Sequence, residues 1–469
     1  MRLKYKISFI FIILILISIF YLLTENFNNN KKIKELEKSL SWYKNQKIKE
    51  LEKSISWHKN QKIKDKKNIK FYRDKLARQK KILDKFIFQI DSDFKDSLKD
   101  IQIEKLEVKL SNKKILKKYQ LTDFNSAAAG YIPGGYIDFH LNNLFVISSR
   151  GIIAFSEDLQ NNNNLKQIKN NINDFIGIIQ FSKNSSSSLR DLFIFKNKIY
   201  ISYIEEIKDD CWNTSVIFAD IDYDYIEFKR LFSPIECIHS KNNIDKEFTA
   251  TQSGGRITNF DDNHILLTNG DYRSRHLAQN TESVNGKIIK ININNGSYEI
   301  ISMGHRNPQG LYFDKEKNFI LETEHGPSGG DEINLLEIDE IGKDYIPNFG
   351  WAIASAGEHY SKTDEKYEKY PLYKSHSDYG FVEPLISFVP SVAISEITKI
   401  QDNRYVVGTM GDTKPKHNSL LFFTLRNNKE ISNMEVVEVF ERVRDLKIKN
   451  NSLYLFLEDT ASIGEISLD

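Results

Sequence analysis

Arginine residues that could bind an anionic ligand are concentrated in short polar segments of the chain. The segments richest in polar groups are GHRNPQG at 304–310, EHGPSGGDEIN at 324–334 and ERVRD at 441–445. Guanidinium groups bind carboxylates through paired hydrogen bonds, so Arg306, Arg442 and Arg444 are suited to an anionic ligand. The alternative is that each arginine forms a structural ion pair with a nearby carboxylate such as Asp445.

Oxygen ligands for a cation lie in the second of these segments. Asp331 and Glu332 supply carboxylates, and the turn at Gly326 and Pro327 supplies backbone carbonyl groups. Calcium prefers hard oxygen ligands of these kinds. The sequence therefore predicts that an anion and a cation bind near one another.

The elements that must position these segments are short strands, which begin at about Gly130. An Asn precedes an apolar strand six times, at intervals of 48 to 85 residues: Asn143, Asn197, Asn263, Asn318, Asn403 and Asn451. This interval fits one four-stranded propeller blade with loops of variable length, although a β-sandwich also contains such turns. We therefore predict an all-β six-bladed β-propeller over residues 130–469, in which the polar loops gather at the mouth of the central channel.

The N-terminal segment predicts a membrane anchor. Arg2, Lys4 and Lys6 precede an uncharged run from Ile7 to Leu23, which is just long enough to span a bilayer. Residues 1–30 are therefore assigned to a basic cytoplasmic end and an uncleaved transmembrane anchor, and a cleaved signal peptide is the alternative. The expected location is the inner membrane, single-pass, with the propeller facing the periplasm or the exterior.

A tandem repeat of fifteen residues follows the anchor. KIKELEKSLSWYKNQ at 32–46 is followed directly by KIKELEKSISWHKNQ at 47–61. Apolar residues three and four positions apart predict a helical coiled coil, so residues 31–90 are assigned to a stalk that could form homo-oligomers. Residues 91–129 are then a linker that leads into the propeller.

Composition argues against a nucleic-acid partner, and the two cysteines are compatible with a disulfide or with free thiols. The chain has 66 Lys and Arg against 64 Asp and Glu. It therefore lacks the large basic excess that is typical of nucleic-acid-binding proteins. Cys211 and Cys237 flank a tyrosine-rich segment. They could form a disulfide in an exported protein or remain two free thiols.

These motifs together resemble a known family. The HRNPQG and EHGPSGGDEIN segments, the GGR motif and the late ERVRD are similar to those of soluble aldose sugar dehydrogenases of the glucose/sorbosone dehydrogenase family. The resemblance implies a six-bladed propeller that binds pyrroloquinoline quinone and calcium and oxidises CH–OH groups of sugars or other alcohols.

The resemblance also implies roles for individual residues. Arg306 and Asn307 would contact the quinone, and Arg442 and Arg444 would pair with its carboxylates. Ser391 falls where the family has a small hydroxyl residue near the cofactor. The residues implied for calcium are the carbonyls of Gly326 and Pro327, which would hold the ion that polarises the quinone, and Glu332, which resembles a ligand of a structural calcium.

The chain departs from the family at the catalytic base. In the family a histidine lies four residues before the arginine of the GGR motif, and here that residue is Gln252. An amide cannot accept the hydroxyl proton, and loss of a general base typically costs about 10²- to 10⁴-fold in rate. His325 is the nearest candidate substitute, followed by His276.

A second departure concerns a lysine of the family. Gly411 stands at its position, and Lys414 and Lys416 are the nearby alternatives. The sequence therefore predicts either a quinone-dependent dehydrogenase acting on a small sugar or alcohol, or a noncatalytic propeller that binds a carbohydrate or a protein partner.

Overall fold

The computed structural model describes two units of the chain, Met1–Lys80 and Lys81–Asp469. The described residues are 38–42, 45–47, 49–50, 53, 75–76, 93, 95–122, 124, 134–184, 186, 188–342, 345–411, 418–427 and 430–469. In the first unit the described residues are helical. The predicted anchor at 1–30 lies outside them, as do most of the predicted stalk and the residues Lys414 and Lys416.

The predicted location in the inner membrane is corrected by the structure. Of the residues that the structure describes, none belongs to a helix that is long and apolar enough to cross a bilayer. The predictions of a transmembrane helix and a coiled coil gain no support from the described part of the chain.

The second unit is built from β-strands with few short helices. Its strands are β1 (Ile101–Lys109), β2 (Ile115–Leu121), β3 (Gly135–His140), β4 (Asn143–Ser148), β5 (Ile153–Ser156), β6 (Asn164–Asn170), β7 (Leu189–Phe195), β8 (Lys198–Lys208), β9 (Cys211–Asp220), β10 (Tyr225–Ile226), β11 (Lys229–Phe232), β12 (Ile238–His239), β13 (Gly254–Asn259), β14 (His264–Asn269), β15 (Lys287–Asn292), β16 (Tyr298–Met303), β17 (Pro308–Asp314), β18 (Phe319–Glu324), β19 (Asp331–Glu337), β20 (Ile386–Phe388), β21 (Ile394–Gln401), β22 (Arg404–Thr409), β23 (Ser419–Arg426), β24 (Glu430–Glu438), β25 (Val443–Lys449), β26 (Ser452–Leu457) and β27 (Ser462–Ser467). The helices are α1 (Ile178–Lys183), α2 (Asp364–Lys369) and 3-10 turns at Ile172–Asp174, Arg275–Gln279, Ile338–Glu340 and Ser377–Tyr379.

All the strands of the second unit except β1, β10 and β12 form six groups of four, which we number as blades. Blade 1 is β3–β6, blade 2 is β7, β8, β9 and β11, blade 3 is β13–β16, blade 4 is β17–β20, blade 5 is β21–β24, and blade 6 is β25–β27 with β2. The first strands of the blades contact one another in sequence, and β25 of blade 6 contacts β3 of blade 1. This ring of inner strands confirms the predicted all-β propeller.

The recurrent Asn residues mark one kind of turn. Each of the six lies between the first and second strands of a blade or begins the second strand. Asn197, Asn318 and Asn451 have left-handed backbone conformations, with φ of 58°, 62° and 57°. Asn tolerates this conformation better than most residues, which explains its recurrence in tight hairpins.

Apolar side chains fill the spaces between neighbouring blades. Phe145 of blade 1 packs with Ile201 of blade 2, and Tyr200 of blade 2 packs with Leu267 of blade 3. Alternation along each strand directs apolar residues to both faces of a blade, because every blade is covered by two neighbours. The inner strands are thereby fixed around the channel.

The ring closes through a strand from the N-terminal side of the unit. Strand β2 pairs with the last strand, β27, in antiparallel register from Leu116 opposite Ile466 to Gln120 opposite Ser462. Strand β1 pairs with both β2 and β6, so blades 6 and 1 belong to one continuous sheet. Cys211 and Cys237 form a disulfide between β9 and the residue before β12.

Candidate active site

The arginine of the GGR motif lies at the centre of the ring. Arg256 is 2% exposed, and its Nη1 is 3.1 Å from Asp191, 3.1 Å from Glu396 and 3.0 Å from Asp445. These carboxylates come from the inner strands of blades 2, 5 and 6. Asp445 thus pairs with Arg256.

The same carboxylates also join adjacent blades. Asp191 accepts a hydrogen bond from the backbone N–H of Ile257 at 2.7 Å, and Asp445 accepts one from that of Ile137 at 2.8 Å. Burial raises the pKa of Asp191 to about 7, against the attraction of Arg256. The GGR arginine therefore holds the floor of the channel.

The two arginines of ERVRD share one buried carboxylate. Arg442 Nε donates to Glu458 Oε2 at 3.0 Å, and Arg444 Nε donates to Glu458 Oε1 at 2.5 Å. Arg442 also donates to the carbonyl of Met410. One carboxylate therefore orients both guanidinium groups, and Asp459 accepts the backbone N–H of Arg442 at 3.2 Å.

A chain of amides links these arginines to the HRNPQG segment. Arg444 Nη1 donates to Gln309 Oε1 at 3.0 Å, and Gln309 Nε2 donates to Asn307 Oδ1 at 3.1 Å. Arg306 donates to the carbonyl of His325 at 2.6 Å. The structure therefore brings Arg306, Asn307 and Arg444 together.

Gln252 lies against Arg306. The amide is assigned the orientation that satisfies all its neighbours, in which its oxygen accepts from Arg306 Nη2 at 2.8 Å and from Arg273 Nε at 3.2 Å, and its nitrogen donates to Asp271 Oδ1 at 3.2 Å. Trp351 Nε1 donates to the other oxygen of Asp271 at 2.7 Å. Burial raises the pKa of Asp271, and Arg306 opposes this shift.

Two aromatic rings cover Arg306. Its guanidinium carbon is 5.4 Å from the ring centre of Trp351 and 5.9 Å from that of Tyr360. Tyr360 is 66% exposed, so its ring offers a stacking surface to a ligand.

The segment that carries these rings is the long connection between β19 and β20. Lys369 Nζ and the hydroxyl of Tyr370 each contact Asp245 at 2.7 Å, which ties this connection to the loop before blade 3. His276 Nδ1 is 3.6 Å from the same carboxylate. His276 therefore belongs to this anchoring network and not to the channel mouth.

His325 and the glycine turn form another wall of the site. His325 Nε2 donates to the carbonyl of Ile394 at 2.6 Å, and burial lowers the pKa of its imidazole, against the attraction of Asp331. Asp331 accepts the backbone N–H groups of Gly326 at 3.1 Å and Val392 at 3.0 Å. Asp331 thus shapes the turn of Gly326 and Pro327 through backbone bonds.

Ser391 adjoins this wall. Its Oγ is buried and has no hydrogen-bond partner among the described residues. The next residue, Val392, is held by Asp331, so the hydroxyl is close to the predicted cofactor segments. Its assignment as a cofactor contact stays a prediction.

A buried acidic cluster lies behind the site in blade 4. The ligand atoms of His305, Glu322 and Glu324 lie within 4.8 Å of one another. Asn334 Nδ2 donates to Glu322 at 3.0 Å and to Glu324 at 3.1 Å. Burial and the charge of Glu324 raise the pKa of both Glu322 and Glu332.

This cluster fits a cation bound through oxygen. Glu322 Oε1 and Asn334 Oδ1 are buried and have no hydrogen-bond partner within the described part of the chain. Several carboxylates cannot stay charged in a buried site without protons or a metal ion. Glu332, predicted as a calcium ligand, lies opposite Glu324 on the neighbouring strand and outside this group of three, with its Oε1 3.6 Å from His376 Nε2.

Sequence reasoning assigned no role to several residues of the site. They are Glu322, Glu324, Glu458, Asp271, Arg273, Trp351 and Tyr360. Asp271 ends an NGD motif, and the aromatic pair lies in the longest interval between repeats, so those signals were available. Nothing local distinguishes Glu458 from other acidic residues.

Comparison with known proteins identifies the family. The family model described as Glucose / Sorbosone dehydrogenase matches residues 187–466. The chain belongs to the glucose/sorbosone dehydrogenase family. The match covers blades 2 to 6 apart from β2. It includes all the predicted site residues.

Two relatives match parts of this chain. The chain is 31% identical over 224 residues to slr1608 of Synechocystis sp., covering 41% of this chain and 50% of that protein, so it spans half of that relative's length. It is 25% identical over 302 residues to the aldose sugar dehydrogenase YliI of Escherichia coli, covering 58% and 73%.

Solved structures of other proteins share the fold. The soluble aldose sugar dehydrogenase of Escherichia coli in its apo form superposes with a TM-score of 0.55 at 18% identity, covering 72% of this chain and 96% of that chain. The PQQ-bound aldose sugar dehydrogenase of Streptomyces coelicolor gives 0.52 at 16% identity, covering 71% and 93%. At these identities the likeness concerns the fold alone.

Proposed function

We propose that this chain oxidises a sugar or another alcohol with pyrroloquinoline quinone as hydride acceptor and calcium as metal. The observation that carries the proposal is the linked set of Arg306, Arg442 and Arg444, whose guanidinium groups form side-chain ion pairs only with Glu458 among the described residues. Guanidinium groups that share one carboxylate are suited to bind a ligand with several carboxylates of its own. Membership of the family supports the same cofactor.

The residues around the quinone have distinct tasks in this proposal. Arg442 and Arg444 would pair with ligand carboxylates, because Glu458 already fixes the orientation of both guanidinium groups. Arg306 and Asn307 would contact the ring, with the exposed face of Tyr360 beside them. When bound, the quinone supplies a two-electron acceptor for the hydride of the substrate carbon.

Calcium has two proposed positions. Gly326 and Pro327 would offer carbonyl groups at the quinone, in a turn whose backbone Asp331 holds. Glu332, with Glu322 and Glu324, would hold a second ion in the buried acidic cluster. The unpartnered oxygens of that cluster support a metal there.

The substrate hydroxyl would meet Gln252. Its amide can orient the hydroxyl by hydrogen bonding but cannot take the proton. Of the two histidines considered, His276 pairs with Asp245, whereas His325 borders the site and donates from Nε2. That tautomer makes Nδ1 of His325 the acceptor atom, so we propose that it takes the hydroxyl proton, less effectively than a histidine at position 252 would.

The test is a titration of pyrroloquinoline quinone with calcium into the protein, in which quinone binding is followed by absorbance. Binding and subsequent bleaching by aldoses are expected, and a chelator added before the quinone should abolish both. A protein in which Arg444 is replaced by Gln should bind the quinone more weakly than one carrying the exposed control Arg404→Gln. Absence of quinone binding would refute the proposal.

Gln252 also favours a second function, a noncatalytic propeller that binds a carbohydrate or a protein at the same mouth. This alternative is supported by the lack of a proton acceptor at position 252, which faces Arg306. Binding of the quinone without bleaching by any aldose or alcohol would support this function over the first.

A further inference from the structure

A strained turn presents one more arginine at the mouth of the channel. Tyr272 and Arg273 are consecutive non-glycine residues with left-handed backbones, with φ of 51° and 69°. Such conformations are unfavourable for residues with a side chain and persist where the surroundings enforce them. Here the Tyr272 hydroxyl is 2.7 Å from Thr214 Oγ1, and the N–H of Arg273 donates to Asp271 at 2.8 Å.

The guanidinium of Arg273 is directed at the substrate position. Its Nε donates to the Gln252 amide oxygen at 3.2 Å, and its guanidinium carbon is 5.8 Å from the ring centre of Tyr360. Both contacts are shared with Arg306. Arg273 therefore lies on the side of Gln252 and Tyr360 that a substrate would approach.

The positive charge of Arg273 has no counter-ion in the described part of the chain. Arg275, two residues later, pairs with Glu247 at 2.7 Å, whereas Arg273 forms no such ion pair there. Asp271, the nearest carboxylate by contact, is fully buried and is occupied by Trp351, Gln252 and the Arg273 backbone. A half-buried guanidinium with free Nη donors is suited to bind an oxyanion.

We propose that Arg273 binds the carboxylate or phosphate of an anionic sugar, so that the substrate is an acidic sugar and not a neutral aldose. This inference rests on the proposed function, which assigns Gln252 to the substrate hydroxyl and Arg306, Arg442 and Arg444 to the quinone. A planar guanidinium beside an exposed tyrosine ring binds the charge and the apolar face of one sugar together.

The test compares charged sugars with neutral partners of matched shape. Calorimetry with the full chain, with and without quinone and calcium, uses D-glucuronate against D-glucuronamide and D-glucose 6-phosphate against D-glucose. At least one anion should bind about tenfold or more tightly than its neutral partner, which corresponds to about 1.4 kcal/mol. The preference should weaken as salt is added.

Variants assign the preference to Arg273. Arg273→Gln should abolish the difference in affinity between each charged sugar and its neutral partner, and Arg404→Gln, which removes an exposed arginine on blade 5, should leave that difference unchanged. Arg273→Lys keeps the charge without the planar pair of donors, so it should retain part of the preference. If Arg273→Gln does not fold, Arg273→Lys still tests the role of Arg273 through this partial loss of preference.

The outcomes separate this inference from the proposed function. Equal binding of charged and neutral sugars, or a preference that survives Arg273→Gln, overturns the role of Arg273 even if the quinone binds and is bleached by glucose. Weakened quinone binding in Arg273→Gln without any anion preference also overturns it. An Arg273-dependent preference in a protein that binds no quinone supports the inference and refutes only the dehydrogenase.

Discussion

Gln252 decides how fast a hydroxyl can be oxidised at this site. Gln252→His would restore a proton acceptor beside Arg306, and we expect the turnover of the quinone-loaded protein to rise about 10²- to 10⁴-fold. Because the neutral imidazole accepts the proton, the rate should increase with pH through the pKa of the new histidine. The neighbouring Arg273 and Arg306 should bring that pKa below its usual value of about 6.5.

The measurement is the pH profile of kcat/KM, with Gln252→Asn as the control that keeps an amide. The control should show neither the gain nor the new low-pH limb. A folded histidine variant with unchanged turnover would mean that another group already accepts the proton at full efficiency.

Individual residues of the site were predictable to different degrees. Arg306, Asn307 and Arg444 stand in motifs whose family resemblance implied a shared site, and hydrogen bonds through Gln309 now connect them. Glu458 was missed because an acidic residue 14 positions from Arg444 has no local signature. The contact exists only once β25 and β26 form a hairpin.

At the scale of elements, the inner strands depend on one buried arginine. Arg256→Leu would leave Asp191, Glu396 and Asp445 without their shared cation, and we expect it to lower the free energy of unfolding by about 3–5 kcal/mol. The reason is that buried carboxylates must then take up protons or draw water into the channel floor. Denaturant unfolding measures the change.

The matched control is Arg404→Gln, which removes an exposed arginine that pairs with the exposed Glu435 on blade 5. Its effect should be below about 1 kcal/mol. Similar losses for the two variants would show that the channel cluster contributes no more than a surface pair.

Strands could be predicted from the sequence wherever a characteristic turn residue precedes them. Asn318 predicted the start of β18 because a tight hairpin requires a left-handed residue. The position of Tyr360 could not be predicted in this way. It lies in an irregular connection whose path is set by distant contacts, such as that of Lys369 with Asp245.

At the scale of the whole molecule, the ring is closed by residues that the sequence analysis assigned to a linker. Residues 101–109 and 115–121 form β1 and β2. Their apolar pattern is short and interrupted by lysines, and β2 pairs with a strand almost 350 residues away, from Leu116 to Ile466. Because the two paired strands are so far apart in the sequence, no local pattern could predict that they pair.

Closure by β2 predicts different stabilities for two truncated chains. A chain that begins at Lys99 keeps β1 and β2, whereas one that begins at Gly134 loses the buried side chains of Leu116, Tyr119 and Leu121. Burial of such side chains stabilises by about 1.5–3 kcal/mol each, so thermal unfolding of the shorter chain should occur at least about 10 °C lower. The longer one should keep the propeller's unfolding temperature, and hydrogen exchange should show loss of protection in β27 of the shorter chain alone. Equal unfolding temperatures would mean that the six blades hold together without their N-terminal strand.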